Sequence, residues 1–201
     1  MKIRREVPDP RRRSVLDLAR KCDWHQTHSQ QVARLTLELF DSLKSLHGLG
    51  AIERELIEYA AMLHDIGWHI GGKGHHKHSM YLIAHGRLKS FSPEEVQIMA
   101  NIARYHRKRP PKPSHEGYQS LSSWGRRVVD TGASLLRLAD GLDRSHASAV
   151  TKLSCRIDDD RVTCAVTARS DAELEIWGAH AKRDYFEKAF KKKIRFKLAG
   201  K

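Results

Sequence analysis

The sequence predicts a mainly α fold with a small ββαβ appendage at its C-terminal end. Three observations carry that expectation. Apolar residues recur every three or four positions through most of residues 14–149, the period of an amphipathic helix. Serine and proline start signals and glycine stops punctuate that pattern. From about Val150 the period becomes two, and the turn Asp158-Asp159-Asp160 separates two alternating segments, a hairpin signature. The expected plan is therefore a flexible basic arm over 1–13, an all-α region over 14–149 and a C-terminal subdomain over 150–201.

Each element has its own signal. Residues 1–13 hold six Lys/Arg and two prolines with little apolar matter, and read as a disordered end. Ser14 is the expected N-cap of a short helix to Arg20. Val32, Leu35, Leu39 and Leu43 set a helix over 26–46, with His28 one turn before Val32 on the same inward stripe. Ile52, Leu56, Tyr59, Ala60 and Leu63 set the next over 51–64, so His64 and Asp65 fall in its last turn. A loop rich in glycine, lysine and histidine over 71–78 leads into a helix from His78 to Gly86. Ser92 caps a helix with Pro93 at its first position, running to His106. Three prolines and Gly117 exclude regular structure over 107–120. Val128, Leu135, Leu136, Leu138 and Ala139 set a helix over 124–147. In the appendage, Leu153–Ile157 and Val162–Thr167 form the hairpin. Ser170 and Glu173 make a capping box that opens one helix to Phe190, and Ile194, Phe196 and Leu198 alternate as a third strand. An appendage of about 50 residues lies near the lower limit for independent folding, so it should dock on the helices.

The chain has 201 residues, 40% hydrophobic content and a net charge of +13 before its 13 histidines are counted. That is enough for one domain with a real core, and the charge should attract polyanions. The expected partner is a phosphate-rich small molecule or polyphosphate. Nucleic acid is disfavoured, because no helix-turn-helix, RNA-binding or zinc-finger motif is present. No apolar stretch approaches the ~18–20 residues of a membrane span. Cys22, Cys155 and Cys164 show no metal-ligand spacing. A Cys155–Cys164 disulfide is conceivable between adjacent strands, but the odd count and the lack of a secretory signal favour reduced thiols and a cytoplasmic setting. A homodimer is compatible with the chain.

The chemistry-bearing residues stand at helix ends or on inward stripes. His28, His64, His78 and His106 with Asp65 and Asp140 offer four imidazoles and two carboxylates, enough to ligate two metal ions. Imidazole with carboxylate suits Fe, Mn, Zn or Ni, with Mg a further candidate. Asp65 can bridge two ions, and two adjacent metals can activate water while holding phosphate oxygens, so Asp65 and His64 are the catalytic candidates. Taken singly, each residue has a plainer account. Asp140 sits where a helix should be apolar and could pair with Arg137 or Arg144. His106 could face a helix dipole, and His78 is unremarkable in a histidine-rich loop. Asp143, one turn from Asp140, and Arg144 are candidates to support the ligands from behind. Lys73, Lys77, Arg107, Lys108 and Arg109 could hold phosphate oxygens, or form a solvated basic rim. Trp68 and Tyr105 could stack on a base, although core packing accounts for both.

His28, His64-Asp65 and Asp140 resemble the metal-binding signature of the HD-domain superfamily of metal-dependent phosphohydrolases, whose dinuclear members add two histidines that His78 and His106 would match. Nearly the whole chain resembles the C-terminal part of the exopolyphosphatase / guanosine pentaphosphate phosphohydrolase family. The stretches that carry this are Leu63–Gly67, Gly74–Ile83, Arg104–Lys108 and Leu136–Ser145, joined by the tail segments around Glu173 and Phe186. The resemblance implies an HD-type helical bundle, a metal centre and a basic surface facing polyphosphate or nucleotide. In that family the polyphosphate-hydrolysing site is implied to lie in an upstream actin-like domain, which these 201 residues do not contain. The expectation is a metal-dependent phosphohydrolase acting on polyphosphate, a (p)ppGpp-like nucleotide or a dinucleoside polyphosphate. The alternative is a regulatory module that binds such anions in the same pocket without turnover.

Overall fold

A computed structural model of the protein describes residues 9–199. Eight helices come first: α1 Pro10–Lys21, α2 Gln26–Ser42, α3 Lys44–His47, α4 Ala51–Leu63, α5 His75–His85, α6 Pro93–Arg104, α7 Glu116–Gln119 and α8 Ser123–Gly141, with a 3-10 turn at Ile66–His69 between α4 and α5. Then follow β1 Val150–Ile157, β2 Arg161–Ala168, α9 Glu173–Ala181, α10 Asp184–Phe190 and β3 Lys193–Leu198. The mainly α fold with a small strand-containing appendage is thus present.

The bundle is built on α2, α4, α6 and α8, which pack on one another, with α5 against α6. Their inward stripes meet in one core that includes Leu35, Leu39, Leu56, Ile57, Met99, Ile102, Val128 and Leu135, each fully buried. The sheet has the order β1-β2-β3, with β1 antiparallel and β3 parallel to β2, so α9 and α10 form the crossover between β2 and β3. Both outer strands have their free edges covered. On β1, Gln31 and Arg34 of α2 each donate to the Val150 carbonyl at 2.7 Å, and Glu38 accepts from the Leu153 amide at 2.7 Å. On β3, His180 accepts from the Phe196 amide at 3.0 Å and Glu187 from the Ile194 amide at 3.3 Å.

Several expected boundaries move, and the short helix α7 stands within 107–120, where the prolines argue against regular structure; it lies beyond the last of them, Pro113. The first helix begins at Pro10 with Asp9 as its cap, so part of the expected basic arm is helical, while the rest of that arm, residues 1–8, lies outside the described residues. Ser14 instead accepts from the Lys89 amide at 2.7 Å. The helix after Gln26 breaks at Leu43, and α8 stops at Gly141, leaving Asp143–Ser148 irregular. Asp171, rather than Ser170, accepts from the first amide of α9, at 3.0 Å. The single helix expected to reach Phe190 is broken into α9 and α10 at Lys182, which turns aside to meet Asp140. Cys155 and Cys164 are joined by a disulfide, against the expectation of reduced thiols. The register puts them directly opposite each other, with Cα atoms 4.1 Å apart.

The subdomain docks through a close contact of α8 with α9. A methyl group on Gly141 would fall 2.6 Å from the Gly178 carbonyl oxygen, and one on Gly178 would fall 2.4 Å from that of Gly141. The two backbones therefore touch where no side chain fits. Gly178→Ala should destabilise the protein by about 1–3 kcal/mol, the usual range for overpacking. Urea denaturation would show it as a lower midpoint at unchanged slope.

Candidate metal centre

Five chain segments meet around Asp65. His28 comes from the first turn of α2, His64 caps α4, Asp65 follows it, His75 opens α5, His106 follows α6, and Asp140 ends α8. The turn after Asp65 is what brings α5 close. A methyl group on Gly67 would lie 2.1 Å from the His75 carbonyl oxygen and 2.5 Å from the Ser79 nitrogen, so only glycine fits there. The Gly67 amide also donates to the Ser79 hydroxyl at 2.9 Å.

Two groups of potential ligands share Asp65. One is His28, His64 and Asp65; the other is Asp65, His75 and His106; within each group the ligand atoms lie within 4.8 Å of one another. Nε2 of His28 and Nε2 of His64 stand 3.8 and 3.6 Å from Asp65 Oδ2. Nε2 of His75 and Nε2 of His106 stand 3.2 and 3.6 Å from Asp65 Oδ1. Asp140 Oδ1 is 3.7 Å from His28 Nε2.

The proton positions on these rings follow from their other nitrogen. Nδ1 of His64, His106 and His75 faces the carbonyl oxygens of Ala61, Ala103 and Gly72 at 2.7, 2.6 and 3.1 Å. A carbonyl cannot donate, so each Nδ1 carries a proton, and in the neutral ring Nε2 is the nitrogen left free to ligate. Nδ1 of His28 donates in the same way to the fully buried Asp143, at 2.8 Å. This outer support of the far ring nitrogen is the usual arrangement for metal-bound histidines. Among the described residues, His28 Nε2, His64 Nε2 and Asp65 Oδ1 are buried without a hydrogen-bond partner. Nε2 of His75 and Nε2 of His106 stand 3.4 Å apart, and the Arg107 guanidinium donates to the His75 atom at 3.1 Å. Orphaned ring nitrogens around a central carboxylate fit a divalent transition metal.

The charges are tuned to match. Burial works against ionisation of Asp65, but the surrounding imidazoles hold its carboxyl below the ordinary range. Burial acts in the same sense on the half-buried Asp140, and the ammonium of Lys182 holding it, with His106 and His64 nearby, keeps it far below that range. For His28 burial acts to lower the pKa, and the bond to Asp143 with the fields of Asp140 and Asp65 outweighs it and raises it. Burial pushes His106 down to about 3.

The matching family model is that of the Ppx/GppA phosphatase, domain III, over residues 11–176. The chain belongs to the Ppx/GppA phosphatase family. The match runs from α1 into α9 and stops short of Lys182. In this Ppx/GppA domain the structure brings together His28, His64, Asp65, His106 and Asp140, and departs from the sequence reading at one position. His78 is half-buried, donates to the Gly71 carbonyl at 3.2 Å and lines a separate cleft, while His75 takes the place beside Asp65. Helix α5 starts one turn earlier than expected, so its first residue, not its fourth, faces the cluster. Asp143 bonds His28, and Arg144 stands exposed at the cleft mouth.

Two clefts meet at this point of the Ppx/GppA domain. The cleft over the cluster has a volume of about 400 Å³ and includes Asp65, His75, His106 and Asp140 together with Arg107, Lys108, Arg137 and Lys182. A larger neighbour of about 730 Å³ is lined by all five basic candidates, Lys73, Lys77, Arg107, Lys108 and Arg109. The smaller cleft is the one that holds the carboxylates. Arg107 and Lys108 line both. Sequence reasoning missed Lys182 and His146, and it offered Arg137 or Arg144 as the partner of Asp140, a place that Lys182 takes. Arg137 is nearly buried, held by the Lys108 carbonyl at 2.7 Å and Asp184 at 3.0 Å, and its Nε has no partner among the described residues. His146 stacks on His28 with ring centroids 3.8 Å apart, from a backbone at φ +58°. Left-handed non-glycine backbone of that kind, shared by Lys108 at φ +61°, clusters at functional sites.

Because the folded-state pKa of His106 lies below the ordinary histidine value of ~6.5, the unfolded chain binds the proton first as pH falls. Its contribution to stability is therefore present above pH ~6.5 and is lost as pH drops toward about 3. Metal-chelated wild-type protein should lose stability between pH 6.5 and 4 more steeply than a His106→Asn variant, as read from thermal melts across that range.

Proposed function

We propose that this protein is an HD-type metal-dependent phosphohydrolase acting on a phosphate-rich anion: polyphosphate, a (p)ppGpp-like nucleotide or a dinucleoside polyphosphate. The observation that carries the reading is the convergence of four histidine Nε2 atoms on the single carboxylate of Asp65. His28, His64 and Asp65 would hold one metal, Asp65, His75 and His106 a second, and Asp140 stands beside the first. Fe, Mn, Zn or Ni suits this donor set better than Mg. Such a metal supplies Lewis acidity toward a phosphoryl oxygen and acidifies water at neutral pH.

The chain's own residues do the rest. Arg107, Lys108, Arg137 and Lys182 line the cleft and offer donors to phosphate oxygens, where fixed cations stabilise charge that builds during transfer. Asp143 fixes the His28 ring through Nδ1 and also accepts from the Ser148 amide at 2.8 Å, which anchors the loop that lays His146 over His28. The Ala61, Ala103 and Gly72 carbonyls keep three ring protons at Nδ1, away from the cleft. Family membership supports a phosphate-ester or phosphoanhydride substrate.

One observation favours a second reading, a module that binds such anions without turnover. The Lys182 ammonium lies on the Asp140 carboxylate, where it supplies a positive charge that a metal could otherwise supply. Metal analysis and phosphate release separate the two. Under the hydrolase reading, purified protein carries one or two transition metals per chain and releases phosphate from at least one of the three substrate types. Asp65→Ala then lowers bound metal and cuts turnover by roughly a hundredfold or more. Under the binding reading, wild-type protein releases none and Lys182→Met gains metal.

A further inference from the structure

Trp68 is the unusual side chain at the mouth of this cleft. It lies three residues after Asp65, in the 3-10 turn, and 58% of its surface is exposed. A tryptophan left this open in water buries little of its large apolar surface. It is nevertheless fixed in place. Its ring stacks on His75, with centroids 4.8 Å apart and planes 22° from parallel. Its benzenoid edge lies so close to Gly72 that a methyl group there would come within 2.4 Å of it. His75 is itself held at both nitrogens, by the Gly72 carbonyl and by contacts with Arg107 and Asp65. The indole is therefore a rigid, exposed aromatic surface on the rim of a cationic cleft, one stacked ring away from Asp65. Tyr105, the other aromatic candidate, is 3% exposed and stacks on His115, so it is packed away from solvent.

We propose that Trp68 is a stacking platform for the base of a nucleoside phosphate, whose phosphates lie over Asp65 among Arg107, Lys108 and Lys182. Bases stack on aromatic side chains with little dependence on base identity, because every base has a π-face. The site then selects nucleotides over bare phosphate chains, and one residue sets that choice. The inference rests on the reading of the Asp65 cleft as a phosphate-binding site, and it does not require turnover.

The test is calorimetric titration of the protein with β,γ-imido analogues of ATP and GTP and with imidotriphosphate, all of which resist hydrolysis. Wild-type protein should bind the two nucleotides more tightly than imidotriphosphate, although the latter carries more charge. Trp68→Leu should weaken nucleotide binding roughly tenfold, within the range of base–aromatic stacking, and leave imidotriphosphate within about twofold. Trp68→Phe should retain most of the nucleotide affinity. Gly72→Ala, which displaces the ring without removing it, should reduce it. Equal binding of nucleotide and imidotriphosphate by wild-type protein, or equal losses for both ligands in Trp68→Leu, overturns the proposal. So does conversion of an oligomer to a monomer by Trp68→Leu, which would assign the ring to a protein interface. Phosphate release from tripolyphosphate, followed separately, reports on the hydrolase reading. Protein that releases none, yet loses nucleotide preference in Trp68→Leu, keeps this proposal and removes that reading. Protein that hydrolyses tripolyphosphate while Trp68→Leu changes nothing does the reverse.

Discussion

Keeping the Asp65 carboxylate ionised among buried imidazoles is the constraint around which the helical region is arranged. A carboxylate is costly to bury unless partners compensate its charge, and no single helix supplies them. They come from the start of α2, the end of α4, the start of α5, the residue beyond α6 and the last turn of α8. Each of those helices must stop or begin at the right residue, because a shift of one turn moves a histidine about 5 Å along the axis. The core stripes hold the helices side by side, and the ends hold the chemistry. His64, His75 and His106 are tied to carbonyls at their own helix ends, whereas His28 is held by Asp143, from beyond the end of α8.

The C-terminal subdomain is part of the same system. The contact between Gly141 and Gly178 sets α9 against the end of α8, and the break after α9 delivers Lys182 onto Asp140. Farther along α8, Asp130 accepts from Tyr118 at 2.9 Å and from Tyr185 of α10 at 2.7 Å, while Arg137 bonds Asp184. One long helix thus carries the site carboxylate, the docking glycine and the anchors for α10. The charge state of Asp140 depends on a residue more than forty positions away, so the state of the site reports whether the subdomain is docked.

Much of this is legible in the sequence, for physical reasons that also mark where legibility ends. His28, His64, Asp65, His106 and Asp140 could be found because each is a polar residue on an apolar stripe or at a helix end, a local contradiction that asks for a partner. The exchange of His78 for His75 could not be avoided the same way. Four closely spaced histidines and lysines make the start of α5 ambiguous, and the decisive fact is the fit of Gly67 against the backbone of His75, a contact across the turn. Lys182 gives no local signal at all, since a lysine within a helical pattern looks like solvated surface. The disulfide was misjudged because compositional arguments about cysteine say nothing of register, whereas the strand pairing sets Cys155 against Cys164.

The sheet's covered edges have a consequence for how copies of this chain can meet. A three-stranded sheet ordinarily offers two rows of unpaired amides and carbonyls to any strand that drifts past. Here Gln31, Arg34 and Glu38 take up groups on one row, and His180 and Glu187 take up groups on the other. Strand-by-strand growth from these positions would have to displace side chains that already hold the sheet to the helices. The polar side chains that tie the sheet to the helices thus also work against strand addition at these positions of its β-rich end.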